Sequence, residues 1–139
     1  THHTTSSYLF ESRTLEQLIM RALIVDDSRP IRRIEAEILK ELGFETTDAC
    51  NGKEALERLQ TAPLPDVVLV DWNMPEMDGF EATQLIRKFS SIPIIALTAD
   101  IFPHSQERAY QCGIDDYITK PVRLEDLKVK LVKHMAKSA

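Results

Sequence analysis

The sequence predicts an α/β domain built on a doubly wound parallel sheet, and three observations carry that prediction. Ala22-Leu23-Ile24-Val25, Val67-Val68-Leu69-Val70 and Ile94-Ile95-Ala96-Leu97 are short, uninterrupted apolar runs rich in β-branched residues. Runs of that kind lack the polar/apolar alternation of a half-exposed strand and fit strands covered on both faces. Each is followed by a stretch with apolar residues at helical spacing. Strand-like and helix-like segments alternate five times through short linkers, the pattern of βα units whose right-handed crossovers leave few topologies.

Length and composition narrow the function. The 139 residues fit one domain with one core, and the net charge of −5 is mildly acidic. No basic block or basic helix face offers a footprint for nucleic acid. No apolar run reaches membrane-spanning length, and no segment reads as a secretory signal. Cys50 and Cys112 lack metal spacing and fit small, partly buried residues of a reducing compartment. A soluble cytoplasmic domain is expected.

Residues 1–19 differ from the rest. Thr1-His2-His3-Thr4-Thr5-Ser6-Ser7 is polar and of low complexity, as a tag or vector linker would be. Leu15, Leu18 and Ile19 fall at helical spacing, which fits a short amphipathic helix or the end of an upstream linker. Met20 is a candidate native start, and residues 20–139 are taken as the domain.

After the first strand, Ser28 suits an N-cap and Pro30 the first helical turn. Ile31, Ile34, Ile38, Leu39 and Leu42 mark one face of that helix, which Gly43 closes. Phe44 to Ala49 is a more polar strand, as expected at a sheet edge. Gly52 leads into a helix with Ala55, Leu56 and Leu59 inward, ended by Pro63 and Pro65. Beyond the central strand, Phe80, Ala82, Leu85, Ile86 and Phe89 form a third helix face. A fourth helix should open at Pro103 and run to Gly113. Asp116 to Thr119 is the last strand, and Leu124, Leu127, Leu131, Val132 and Met135 supply the closing helix.

Four of the five strands end on polar groups: Asp26-Asp27, Asp71, Thr98 and Lys120. In a parallel sheet these ends lie side by side at the edge where ligands bind. Three carboxylates at close range repel one another and stay ionised together only near a cation. Hard oxygen ligands with room for water suit Mg²⁺, with Mn²⁺ as an alternative. A lysine beside them attracts an incoming phosphoryl group, Thr98 offers a hydroxyl to the same oxygens, and Ala99 leaves space. Asp71 is then the natural nucleophile, forming an aspartyl phosphate.

Together, Val25-Asp26-Asp27-Ser28, the stretch from Val70-Asp71-Trp72-Asn73-Met74-Pro75 to Glu76-Met77-Asp78-Gly79, Leu97-Thr98-Ala99 and Tyr117-Ile118-Thr119-Lys120-Pro121 resemble the response-regulator receiver domain of two-component signalling. The resemblance runs from Met20 to the C-terminus. It implies a flavodoxin-like fold of strand order 2-1-3-4-5, an arrangement for which the family is a standard example. It implies that Asp71 accepts phosphate from a histidine kinase or phosphorelay histidine. It assigns Mg²⁺ to Asp26, Asp27, Asp71 and the backbone carbonyl of Asn73, and the phosphoryl oxygens to Lys120 and Thr98. Asn73, Ala99 and Asp100 would flank the phosphoryl group, and the bond before Pro121 would be cis. Thr98 and Tyr117 would form a switch acting on the face of the fourth helix, fifth strand and fifth helix. The domain would catalyse its own phosphorylation and dephosphorylation rather than act as a free-standing enzyme. A phosphorylation-dependent dimer is compatible with this pattern.

Three other readings fit the residues less well. A haloacid-dehalogenase-type phosphatase wants a second Asp two residues after the nucleophile, where this chain has Asn73. A flavin module of the same fold wants a phosphate-cradling loop after the first strand, where Asp26-Asp27 would repel the phosphate. A phosphorylation-independent docking module would leave the acidic site idle. The chain fits either a stand-alone receiver or a receiver from a hybrid histidine kinase.

Overall fold

The computed structural model describes residues 19–72, 79–99 and 103–135, the side chains of 103–106 excepted. Its elements run β1 (Arg21–Val25), α1 (Arg29–Glu41), β2 (Glu45–Ala49), α2 (Gly52–Leu59), β3 (Val67–Asp71), α3 (Gly79–Arg87), β4 (Ile94–Thr98), α4 (Pro103–Cys112), β5 (Asp116–Thr119) and α5 (Leu124–Met135). The strands form one parallel sheet in the order β2-β1-β3-β4-β5, the flavodoxin-like order that the resemblance implied. The polar strand β2 lies at its edge, while β1, β3 and β4 are buried throughout.

Successive residues of a strand point to opposite faces, and here each face has its own core. Leu23, Val25, Val68, Val70, Ile94 and Ala96 pack with Ala55 of α2, Ala82 and Ile86 of α3 and Ala109 of α4. Ala22, Ile24, Val67, Leu69, Ile95, Leu97 and Ile118 pack with Leu39 of α1 and Leu127 and Leu131 of α5. This division makes the sheet doubly wound. It also explains why the central strands carry no alternation.

Local signals set the helix ends. The Ser28 hydroxyl accepts from Ile31 N at 3.4 Å, capping α1, and Gly43 takes the left-handed φ of +92° that ends it. At α2 the Asn51 side chain accepts from Glu54 N at 2.8 Å, while the Glu54 carboxylate accepts from Cys50 N at 3.0 Å. The pair works like a capping box, except that Glu54 returns its bond to the residue before the N-cap Asn51.

Three expected core faces are corrected. In α1 Glu35 and Leu39 are buried and Ala36, Ile38 and Leu42 pack partly against the core, whereas Ile31 and Ile34 are exposed. Glu35 and Leu39 are four residues apart and share a face; Ile34 sits about 100° round the helix from Glu35, and Ile31, although on their line, belongs to the helix's first turn. Phe89 lies beyond the end of α3 at Arg87, out of helical phase, and is exposed. Val132 follows the buried Leu131 by one residue and therefore points outward.

Asp116, buried at the start of β5, fastens α5 to the sheet. Its carboxylate accepts from Lys130 Nζ at 2.8 Å, His134 Nε2 at 2.8 Å and Tyr117 N at 2.9 Å. Burial opposes its ionisation, but these donors outweigh that and hold its carboxyl at about 2, below the ordinary 3.8. A depressed carboxyl stabilises the fold above its unfolded pKa and loses that contribution as pH falls through the folded value. Acid titration should therefore remove about 2 kcal/mol between roughly pH 4 and pH 2. Denaturant unfolding across that range should show this slope in the wild type and its absence in Asp116→Asn.

Candidate functional site

The sheet brings the polar strand ends together at one edge. Asp71 is the last residue of β3 and Thr98 the last of β4, while Asp26 and Lys120 directly follow β1 and β5. Backbone bonds extend past the strands and fix these positions: Asp26 N to Ala49 O at 3.0 Å, Trp72 N to Leu97 O at 2.8 Å, and Lys120 N to Thr98 O at 2.8 Å. Carboxylate oxygens of Asp26, Asp27 and Asp71 lie within 4.8 Å of one another. Lys120 Nζ stands 2.7 Å from Asp71 Oδ1 and pairs with it. Thr98 is buried, Ala99 beside it is exposed, and the Lys120–Pro121 peptide is cis. Asn73 and Asp100 lie outside the described residues.

Electrostatics give the cluster its character. Asp26 is 1% exposed, Asp71 is 5% exposed, and Asp27 faces solvent. Burial pushes the Asp26 carboxyl up to about 6; Asp71 and Asp27 add to the rise, and the Ser28 N–H and Lys120 oppose it. Asp26 Oδ1 accepts from Ser28 N at 2.9 Å, but Oδ2 is buried with no hydrogen-bond partner among the described residues. Burying an acceptor without a donor is costly. A divalent cation would satisfy that oxygen and offset the repulsion among the three carboxylates. An all-oxygen donor set of this kind suits Mg²⁺. Asp26, Asp27 and Asp71 therefore fit a hard cation.

The family model for the response regulator receiver domain matches residues 22–132. The chain belongs to this family. It is 39% identical over 116 residues to the chemotaxis protein CheY1 of Helicobacter pylori, covering 81% of this chain and 94% of that protein. It is 38% identical over 113 residues to the sensor histidine kinase RcsC of Salmonella typhi, again over 81% of this chain but only 12% of the kinase. The chain thus spans nearly all of one relative and a small part of the other. Among solved structures it resembles the receiver domain of the sensor histidine kinase PA1611 of Pseudomonas aeruginosa, with a TM-score of 0.75 and 29% identity over 85% of this chain and 98% of that one. That structure holds a magnesium ion coordinated in the active site cleft.

Two aromatic residues, Trp72 and Tyr117, tie the strands to the helices around them. Trp72 follows Asp71, and its ring packs against Phe80 at 4.4 Å between centroids; the Phe80 ring in turn carries the Arg108 guanidinium at 4.4 Å. Tyr117, half-buried on β5, meets Tyr110 of α4 edge-on at 6.4 Å and has Lys130 Nζ 5.7 Å from its ring centroid. Tyr117 thus touches α4 and α5. Among the described residues, no helix is long and apolar enough to cross a membrane.

The receiver site also contains a residue that sequence reasoning missed. Glu35 of α1 is 2% exposed, and burial pushes its carboxyl up to about 8, with Asp26 adding to the rise and Lys120 opposing it. Its position four residues before Leu39 was the available signal, masked by the neighbouring isoleucines. The Lys120–Asp71 pair leads to a prediction of its own. Lys120 Nζ occupies an Asp71 oxygen that a bound cation would take, so Lys120→Met should tighten Mg²⁺ binding by about tenfold, the equivalent of about 1.4 kcal/mol. Mg²⁺ titration followed by Trp72 fluorescence measures this.

Proposed function

We propose that this receiver is a phosphoacceptor switch in which Asp71 takes a phosphoryl group from a histidine kinase or a phosphorelay histidine. The observation that carries the reading is Asp71 itself: a buried strand-end carboxylate 2.7 Å from a lysine and within 4.8 Å of two further carboxylates. An oxygen of Asp71 attacks the phosphohistidine phosphorus, the P–N bond breaks, and its electron pair leaves on the imidazole nitrogen. Asp26, Asp27, Asp71 and the Asn73 carbonyl would hold Mg²⁺, or Mn²⁺ in its place. When bound, the cation supplies positive charge against the phosphoryl oxygens. Lys120 leaves Asp71 for a phosphoryl oxygen, and the Thr98 hydroxyl donates to another. Ala99 gives the group room, with Asn73 and Asp100 flanking it.

The response passes to the surface through Thr98 and Tyr117. Thr98 closes β4, and Tyr117 joins β5 to α4 and α5, so a shift at Thr98 alters the α4-β5-α5 face that partners read. The domain catalyses both its own phosphorylation and the hydrolysis that resets it. Residues 20–139 make up the receiver and residues 1–19 a tag or linker ahead of it. The free thiols Cys50 and Cys112 suit work in the cytoplasm.

Acetyl phosphate tests the reading. Intact-mass measurement should find one phosphoryl adduct in the presence of Mg²⁺ and none after chelation with EDTA. An adduct indifferent to the metal would overturn the role given to the acidic cluster.

A further inference from the structure

A groove of about 390 Å³ opens beside the acceptor site, lined by Ile31, Ile34 and Glu35 of α1 and by Lys120, Pro121 and Val122. Its lining is apolar except for one carboxyl and one ammonium. Glu35 Oε1 is buried and has no hydrogen-bond partner among the described residues. A buried unsatisfied acceptor is expensive and calls for a role. The phosphotransfer chemistry above makes no use of it.

Lys120 is the cation of this groove. Its charge acts on Glu35, while its Nζ is bonded to Asp71 Oδ1 at 2.7 Å. Lys120 thus shares the groove with Glu35 while its ammonium is engaged by Asp71, and Glu35 Oε1 has no partner among the described residues. A lysine carries three donors on a flexible four-carbon stem and can shift from one acceptor to another. We infer that Glu35 is a positioning residue for Lys120: it is an alternative acceptor that draws the ammonium off Asp71 Oδ1 and leaves that oxygen to the divalent cation. The inference rests on the reading of Asp71 and its neighbours as a cation-dependent acceptor site. Without Glu35, Lys120 stays on Asp71 and competes harder with the metal. An apolar side chain at position 35 would fill the same space and leave Lys120 no second acceptor. Glutamine would keep an acceptor oxygen there.

The test is a set of Mg²⁺ titrations followed by the backbone amide resonances of β3, with thermal unfolding to verify that each variant is folded. Glu35→Leu should weaken Mg²⁺ binding about fivefold, and Glu35→Gln should restore it to within about twofold of wild type. In a Lys120→Met background, Glu35→Leu should change the affinity by less than about twofold, because the competitor is gone. Glu35→Met serves as a second apolar variant with the same expected losses. Wild-type affinity in both apolar variants would overturn the inference. So would an equal loss with and without Lys120, which would mean that Glu35 acts by its own charge or packing. A wild-type protein with no response to Mg²⁺ would overturn the acceptor-site reading itself, and this inference with it.

Discussion

Asp71→Asn is expected to gain no phosphoryl group from acetyl phosphate while keeping the fold. The substitution preserves the size and planarity of the side chain, so the buried strand end of β3 can pack as before. What it removes is the nucleophile: an amide oxygen cannot form the acyl phosphate. It also removes the partner of Lys120 and one of three clustered carboxylates. Mg²⁺ affinity should fall by about tenfold or more with the loss of one charged ligand. Intact mass after acetyl phosphate treatment, with an Mg²⁺ titration beside it, measures both effects. An adduct persisting in Asp71→Asn would place the acceptor elsewhere.

Gly79→Ala should be nearly as damaging, for a steric reason. A Cβ at position 79 would overlap Trp72 Cε3 and approach Trp72 Cδ2 to 2.8 Å and the Trp72 Cα to 2.9 Å. The ring cannot swing clear, because Trp72 is 8% exposed and packed against Phe80. The Cα is backbone and can yield only by moving the chain next to Asp71. Overpacking of this kind costs about 1–3 kcal/mol or more. A displacement of the acceptor by about 1 Å can slow the reaction by about a hundredfold. Denaturant unfolding and the initial rate of adduct formation should both register the change; wild-type values for both would mean that Trp72 has more freedom than this packing allows.

The architecture was legible because its signals are redundant. The unalternating run at Val67–Val70 marks an interior strand, the polar run through Thr46, Thr47 and Asp48 marks an edge, and Gly43 marks a helix end. The site was legible for a related reason: Asp26, Asp71, Thr98 and Lys120 each occur where an apolar strand stops, and parallel strands gather such residues at one edge. Helix faces were read less well. In α1 the stripe was legible at Ile38, Leu39 and Leu42, but it took in the exposed Ile31 and Ile34 and passed over the buried Glu35. A buried acid contradicts the apolar pattern used to find a core face, so periodicity passes over it. Phe89 and Val132 failed similarly, since an apolar residue beyond a helix end or one step off its stripe carries no mark in composition. The pairings around Asp116 are tertiary and become visible only when α5 is laid on β5.

The most direct test of the central claim is to locate the phosphoryl group. The protein is phosphorylated with acetyl phosphate and Mg²⁺, treated with borohydride to reduce the acyl phosphate to an alcohol, and digested for peptide mass spectrometry. Conversion of an aspartate to homoserine at position 71 alone is expected. Conversion at Asp26 or Asp27 instead, or phosphate held on a residue that borohydride does not reduce, would contradict the claim.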